Sequence, residues 1–165
     1  VLFRSPPFEN QWGPFTGTVL DQDTGQPIAG AVFTVSWMRI VPHLFHAGEA
    51  FLDARAAVAD TAGRFEIAQR EKPSFFTVVE QPNLSCIAPG YAAYSTVGAQ
   101  IAPMTIRLRQ ITAEESQLGM NSAPSLGLIP EQRCRELGEV INRKRQQMGL
   151  ALINLCGWNI ERAPQ

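Results

Sequence analysis

The sequence predicts a mainly β protein, a β-sandwich of about seven short strands, followed by a C-terminal amphipathic α-helix. Three observations carry this expectation. Apolar and polar residues alternate over several short stretches, the period of strands with one wet face. The 13 Gly and 12 Pro residues punctuate those stretches without forming a repeat, as turns between strands do. Beyond Pro130 the apolar residues change to helical spacing. A chain of 165 residues suits one domain with a short appendage and can bury a real core.

The elements follow in order. Val1-Leu2-Phe3-Arg4-Ser5 reads as the translated end of a sequencing adapter. These residues are set aside as an artefact within an N-terminal extension of residues 1–12, which leaves room for an export signal upstream. The sandwich is expected over residues 13–110. Phe15, Gly17 and Val19 alternate with Thr16 and Thr18, and Asp21 to Gly25 makes a turn. Ala31 to Met38 is a β-branched and aromatic run suited to a strand buried on both faces. The stretch Arg39–Ala56 reads as an inserted loop. Ala57-Val58-Ala59, a turn at Asp60 to Gly63, and Arg64 to Ile67 read as a hairpin. Phe75–Val79 and Leu84–Ala88 are two further apolar runs, the second broken by Pro89-Gly90. Met104, Ile106 and Leu108 alternate with polar neighbours in a last strand.

Residues 111–129 lack clear periodicity and read as a linker or an arm lying on the domain. Residues 130–165 form the helical tail. Pro130 suits the first helical position, with Glu131 at the positive end of the dipole. Cys134, Leu137, Val140, Ile141 and Met148 make the apolar stripe. Arg135, Glu136, Glu139, Arg143 and Arg145 make the wet face, and Gly149 ends the helix. Leu150–Cys156 suits either a further helical turn or a short strand.

Charge and composition exclude several classes. The net charge of −1 argues against a general nucleic-acid binder, so no nucleic-acid partner is expected. No stretch approaches the roughly 18–20 apolar residues of a membrane span, so no transmembrane segment is expected. From Ile129 onward there are six basic and four acidic residues, a local +2 against −3 before it. A basic helix 130–148 suits either a solvated face with internal pairs or docking to an anionic membrane surface or acidic partner.

The three cysteines leave pairing open. Cys134 and Cys156 are 22 residues apart in sequence, roughly 33 Å on a continuous helix, so they meet only if the chain folds back near Gly149. Cys86 with Cys134 or Cys156 would instead staple the tail to the sandwich. Three buried free thiols are the remaining arrangement.

Several separated motifs together resemble the carboxypeptidase regulatory-like family. Gly17, Asp21, Thr24, Gly25, Pro27, Gly30 and Ala31 stand at the positions of its opening "G-x-V-x-D-x-x-T-G-x-P-I-x-G-A" run. Asp60, Gly63 and Phe65 match its "T-D-x-x-G-x-F-x-I" step, and Gly90-Tyr91 its "A-x-G-Y" step. The resemblance covers about residues 15–109. It implies a seven-stranded prealbumin-like, transthyretin-type Greek-key sandwich. The helical tail resembles a subgroup of bacterial exported proteins. The implied role is a non-enzymatic accessory module, contacting protein or glycan at the cell envelope. The implied location is periplasmic or extracellular, with a lipid anchor as one form of attachment. The motif residues are fold-making: Asp caps its own turn, and Gly25 and Gly63 take strained turn positions.

Catalytic chemistry finds few candidates, and no cofactor is expected. His46 and Glu49 match the H-x-x-E zinc pair of metallocarboxypeptidases, but a zinc site needs a third protein ligand and no His follows. His43 and His46, with Glu49 or Asp53, are the alternative: a metal-binding or small metal-dependent enzymatic site on the inserted loop. The serines lie in no nucleophile-elbow context. Trp37 reads as core, and Trp12 as core or a stacking platform. The stretch 39–56 is the expected variable contact surface, since loops on a rigid sandwich carry binding.

Overall fold

The alternation beginning at Phe15 becomes strand β1 (Phe15–Asp21) in the computed structural model, which describes residues 11–74, 76–98 and 102–156. Phe15, Gly17, Val19 and Asp21 are buried, and the residues between them are half-buried. Six more strands follow: β2 (Val32–Pro42), β3 (Ala47–Val58), β4 (Arg64–Ile67), β5 (Asn83–Ile87), β6 (Tyr94–Val97) and β7 (Met104–Leu108). They form a three-stranded sheet, β4-β1-β7, and a four-stranded sheet, β3-β2-β5-β6. In the first, β1 pairs antiparallel with β4 and parallel with β7. The second is antiparallel throughout. The protein is thus a mainly β sandwich with a C-terminal helix.

Between the sheets lie Phe15, Val19, Phe33, Val35, Trp37, Leu84, Cys86, Ile106 and Leu108. Phe33 and Phe65 stack with ring centroids 4.3 Å apart. Each such side chain removed from water contributes about 1.5–3 kcal/mol. A second cluster lies on the outer face of the four-stranded sheet. There Val32, Ala54 and Ile87 meet Cys134, Leu137 and Ile141 of helix α2 (Glu131–Gln147). Sandwiched this way, β2 is buried along Val32–Met38 on both faces, which is why its sequence is continuously apolar.

Several sequence expectations are corrected. The stretch 57–67 is not a hairpin: β3 and β4 belong to different sheets, and the turn between them is an arch. Asp60 Oδ1 accepts from the backbone N–H groups of Ala62 and Arg64 at 2.9 Å. Gly63, at φ 72°, lies against the Val19 backbone, and its carbonyl accepts from Val19 N–H at 2.8 Å. The same tight turn serves hairpin or arch, and long-range pairing decides which. The stretch 39–56 is not a loop but most of a long hairpin, with Pro42 paired to Ala47. The expected run 75–79 is no strand: Phe75 lies outside the described residues, and Val79 makes one isolated bridge to Arg39.

The expected linker 111–129 holds α1 (Ala113–Gln117), a 3-10 helix (Pro124–Leu128), and the buried Ala123, Leu126 and Ile129. Thr112 and Glu115 form a reciprocal capping box at α1. In α2, Pro130 is the N-cap rather than the first helical residue. Val140 is 63% exposed and Arg145 only 3%, the reverse of their expected faces. The reason is spacing: Leu137, Ile141 and Arg145 recur every four residues and share a stripe. Gly149, at φ 73°, ends α2, with Gly149 N–H donating to Gln146 O and Leu150 N–H to Arg145 O, both at 2.9 Å.

The chain then returns along the helix without regular structure. Asn142 exchanges two bonds with the backbone of Ile153, at 3.0 and 2.9 Å. A disulfide joins Cys134 to Cys156, with Cα atoms 6.2 Å apart, while Cys86 is free and buried. No helix among the described residues is long and apolar enough to cross a membrane. Val1–Ser5, the rest of the extension to residue 10, and the tail beyond Cys156 lie outside the described residues.

Candidate functional site

Asp21 and the turn residues around it assemble at one end of the sandwich. Asp21 is their hub. Its Oδ1 accepts from the N–H groups of Asp23 and Thr24 at 2.9 Å, and Thr24 Oγ1 accepts from Gln26 N–H at 3.2 Å. Its Oδ2 accepts from Tyr91 OH at 2.9 Å and Gln110 Nε2 at 2.7 Å. The Thr24 amide, then the Gln110 side chain, hold the Asp21 carboxyl well below its usual range. Asp60 is lowered too, first by the Arg64 backbone amide. Pro27 bridges Leu20, Gly30 N–H donates to Ala59 O, and the Ala31 carbonyl accepts from Ala59 N–H. A side chain at Gly17 would collide with the Phe65 ring and the Met104 backbone. The Gly90 carbonyl accepts from Ile111 N–H at 3.0 Å. Every one of these contacts holds turns and strands together.

The opposite end of β2 is different in kind. There the β2–β3 hairpin projects past the packed layers. Its burial stops after Met38, and the four residues Arg39–Pro42 reach about 13 Å further at ~3.3 Å per residue. A register shift between Trp37 and Met38 marks the departure point. The turn is His43-Leu44-Phe45-His46, closed by His43 N–H donating to His46 O at 2.8 Å. Leu44 is 89% and Phe45 91% exposed. The two imidazoles stack, with centroids 4.8 Å apart. Beside the hairpin runs the 76–79 segment, whose Val78 carbonyl accepts from Ile40 N–H at 2.9 Å. Phe76 there is 93% exposed, and Val78 is exposed too. The apolar run was visible in the sequence, but its exposure was not.

The metal candidates come only partly together. His43 and His46 meet, whereas Glu49 sits opposite Ile40 on β3. Among the described residues no three His, Cys, Asp or Glu side chains converge on a metal-sized site. Asp53 is engaged elsewhere. Its carboxylate faces Arg70 Nε at 2.9 Å, Arg133 Nη2 at 3.6 Å and Arg55 Nε at 3.8 Å. Arg133 also donates to Ala54 O at 2.8 Å, which ties α2 to the β3 edge. Arg70 lies over both Trp12 and Trp37, whose rings stack 6.1 Å apart. Trp37 is fully buried and donates to Gln11 O at 2.8 Å, so this pair braces the hairpin base. Next to it, Gln11, Val79, Glu80, Gln81, Asn83 and Val97 line an open groove of about 460 Å³.

Burial pushes the Cys86 thiol up to about 12, so it has no nucleophilic character at neutral pH. On the helix, Arg133 and Arg135 pair with Glu136 and Glu131, and Arg145 is buried, which leaves Arg143 and Lys144 as the open cations of the face expected to be basic.

No family model matches the chain, and no curated protein matches it. Among solved structures it is similar to a 9R-lipoxygenase from Cyanothece PCC8801, at 20% sequence identity and a TM-score of 0.32. That similarity covers 66% of this chain and 17% of the lipoxygenase, so the chain spans under a fifth of that protein's length.

Proposed function

We propose that the protein is a non-enzymatic, exported binding module of the bacterial cell envelope, in the class of carboxypeptidase regulatory-like domains. The prealbumin-like reading draws support from the strand orders β4-β1-β7 and β3-β2-β5-β6 and the parallel β1–β7 pair. It also draws support from the convergence of Asp21, Thr24 and Tyr91 on one hub. A periplasmic or extracellular location accords with the Cys134–Cys156 disulfide, a bond that persists in oxidising compartments.

The observation that carries the binding role is the hairpin tip. Leu44 and Phe45 stand almost wholly in water at the end of a braced, two-stranded arm. A chain gains nothing in its own stability from such placement, and exposed apolar clusters mark contact sites. The groove beside the arm, with its amide side chains, supplies the polar groups that a protein or glycan partner needs.

The test is retention on a washed bacterial envelope fraction. The wild-type chain is expected to be retained, and Leu44→Ser with Phe45→Ser to lose retention while keeping its far-UV spectrum and Tm. Equal retention of the two proteins would reject the hairpin as the contact surface.

A further inference from the structure

We infer that the hairpin end seats in the interfacial layer of a lipid bilayer, an inference that rests on the binding-module reading and names what the tip meets first. Two adjoining segments make this end. Ile40 to Gly48 contains no Asp, Glu, Lys or Arg, and neither does Pro73 to Val79. They are held side by side by the Ile40–Val78 backbone bond and the Arg39–Val79 bridge. Each carries a nearly fully exposed Phe, Phe45 and Phe76, with Leu44 and Val78 beside them.

Lipid suits this surface for two physical reasons. First, the backbone of the arm suits a hydrated interface. Its ladder runs to Pro42 and Ala47, and His43 N–H closes the turn on His46 O. The outward-facing backbone groups of β3, the edge strand of its sheet, and those of the turn remain for water and headgroups. This holds the arm in the hydrated interfacial layer, since an open strand edge carries a heavy penalty in the hydrocarbon below it. Second, the side chains are graded. Leu44 and Phe45 lead, the imidazoles of His43 and His46 follow, and Arg39 and Lys72 stand exposed at the base of the two segments. Long cationic side chains at that level reach headgroup phosphates while their stems cover apolar surface. The Leu and Phe side chains ahead of them suit the apolar side of the same boundary. Glu49 and Glu71 stand at the base too, so the attraction is apolar first and does not depend on net charge.

The experiment uses the purified full chain with vesicles of phosphatidylcholine alone and of phosphatidylcholine with phosphatidylglycerol. Wild-type chain is expected to cosediment with both, and binding to the neutral vesicles is expected to persist in 1 M salt. Leu44→Ser with Phe45→Ser is expected to weaken partitioning by about 30-fold or more. Val140→Ser, on the exposed face of α2, is expected to leave it unchanged. In Phe45→Trp, the added indole is expected to shift to shorter emission wavelength on binding and to be quenched by bromine-labelled lipid.

Binding only to anionic vesicles and lost in salt would overturn the inference in favour of electrostatic docking by the helix. No vesicle binding, with tip-dependent retention on envelope material intact, would overturn it in favour of a protein or glycan partner while the module reading stands. Loss of both would remove both.

Discussion

Tyr91 donates its phenolic proton to the Asp21 carboxylate at 2.9 Å, although 70 residues separate the two. The bond closes the strand-end turn of β1 onto the segment between β5 and β6. Gln110, just past β7, donates to the same oxygen at 2.7 Å. One carboxylate thus ties three distant stretches of chain.

That carboxylate makes stability depend on acid. Its folded pKa is depressed, first by the Thr24 amide and then by Gln110. A depressed carboxyl stabilises the fold above its unfolded value, about 4, and the contribution is lost as pH falls below it. The wild-type Tm is therefore expected to fall steadily below about pH 4. Asp21→Asn is expected to lower Tm at pH 7 and to flatten that acid limb. Tyr91→Phe, which removes one bond, is expected to lower Tm by about 3–6 °C. Thermal melts from pH 2 to 7 check all three.

Much of this architecture was legible in the sequence, and each departure has a physical reason. The alternation from Phe15 and the unbroken apolar run to Met38 report local burial, so β1 and β2 could be read directly. The sheet joined by the strand after Asp60 is set by its pairing with β1, which the turn residues do not encode. The charge of Arg145 suggests water, while its spacing from Leu137 and Ile141 places it inward. Thr112 and Glu115 spelled a capping box in a stretch that lacked periodicity only because α1 is five residues long. At the tip, Leu44 and Phe45 read as a loop of unusual composition. How far they project depends on the whole length of the hairpin.

Arg145 is expected to be the most sensitive charged position of the helix. Its guanidinium donates to Gly30 O and, at 2.9 Å, to Ala151 O. Removing it leaves two carbonyls without that donor. Arg145→Ala is expected to cost about 2–3 kcal/mol, and Arg145→Lys to recover part of it. Gly30→Ala is expected to be costly as well, because its Cβ would stand 2.8 Å from the Arg145 Nη1 and would collide with Leu150. Urea denaturation of the three variants measures the difference.

Thr34 offers the opposite sign. It is 2% exposed, and its hydroxyl has no hydrogen-bond partner among the described residues. Thr34→Val keeps the shape and removes an unsatisfied polar group. A gain of about 1 kcal/mol is expected, read as a higher urea midpoint at unchanged slope.

The thiols have a distinct signature. The native chain is expected to take up no alkylating agent, since Cys86 is buried and Cys134 is bonded to Cys156. Denatured without reductant, it should take up one equivalent, and with reductant three. Closing a 22-residue separation contributes about 3 kcal/mol, so Cys134→Ser with Cys156→Ser is expected to lower Tm by about 10 °C. Intact-mass measurement and thermal melts decide both.

The bond between Cys134 and Cys156 also makes most of α2 and the segment that returns along it a closed covalent ring. A protease that cuts once anywhere inside the ring frees neither piece. The nicked molecule would run as a single band on a non-reducing gel, and the segment ahead of the cut would stay tethered through sulfur to the segment behind it. A module exposed to extracellular proteases would in this way survive a first cut in the turn around Gly149, with its helix still seated on the sandwich.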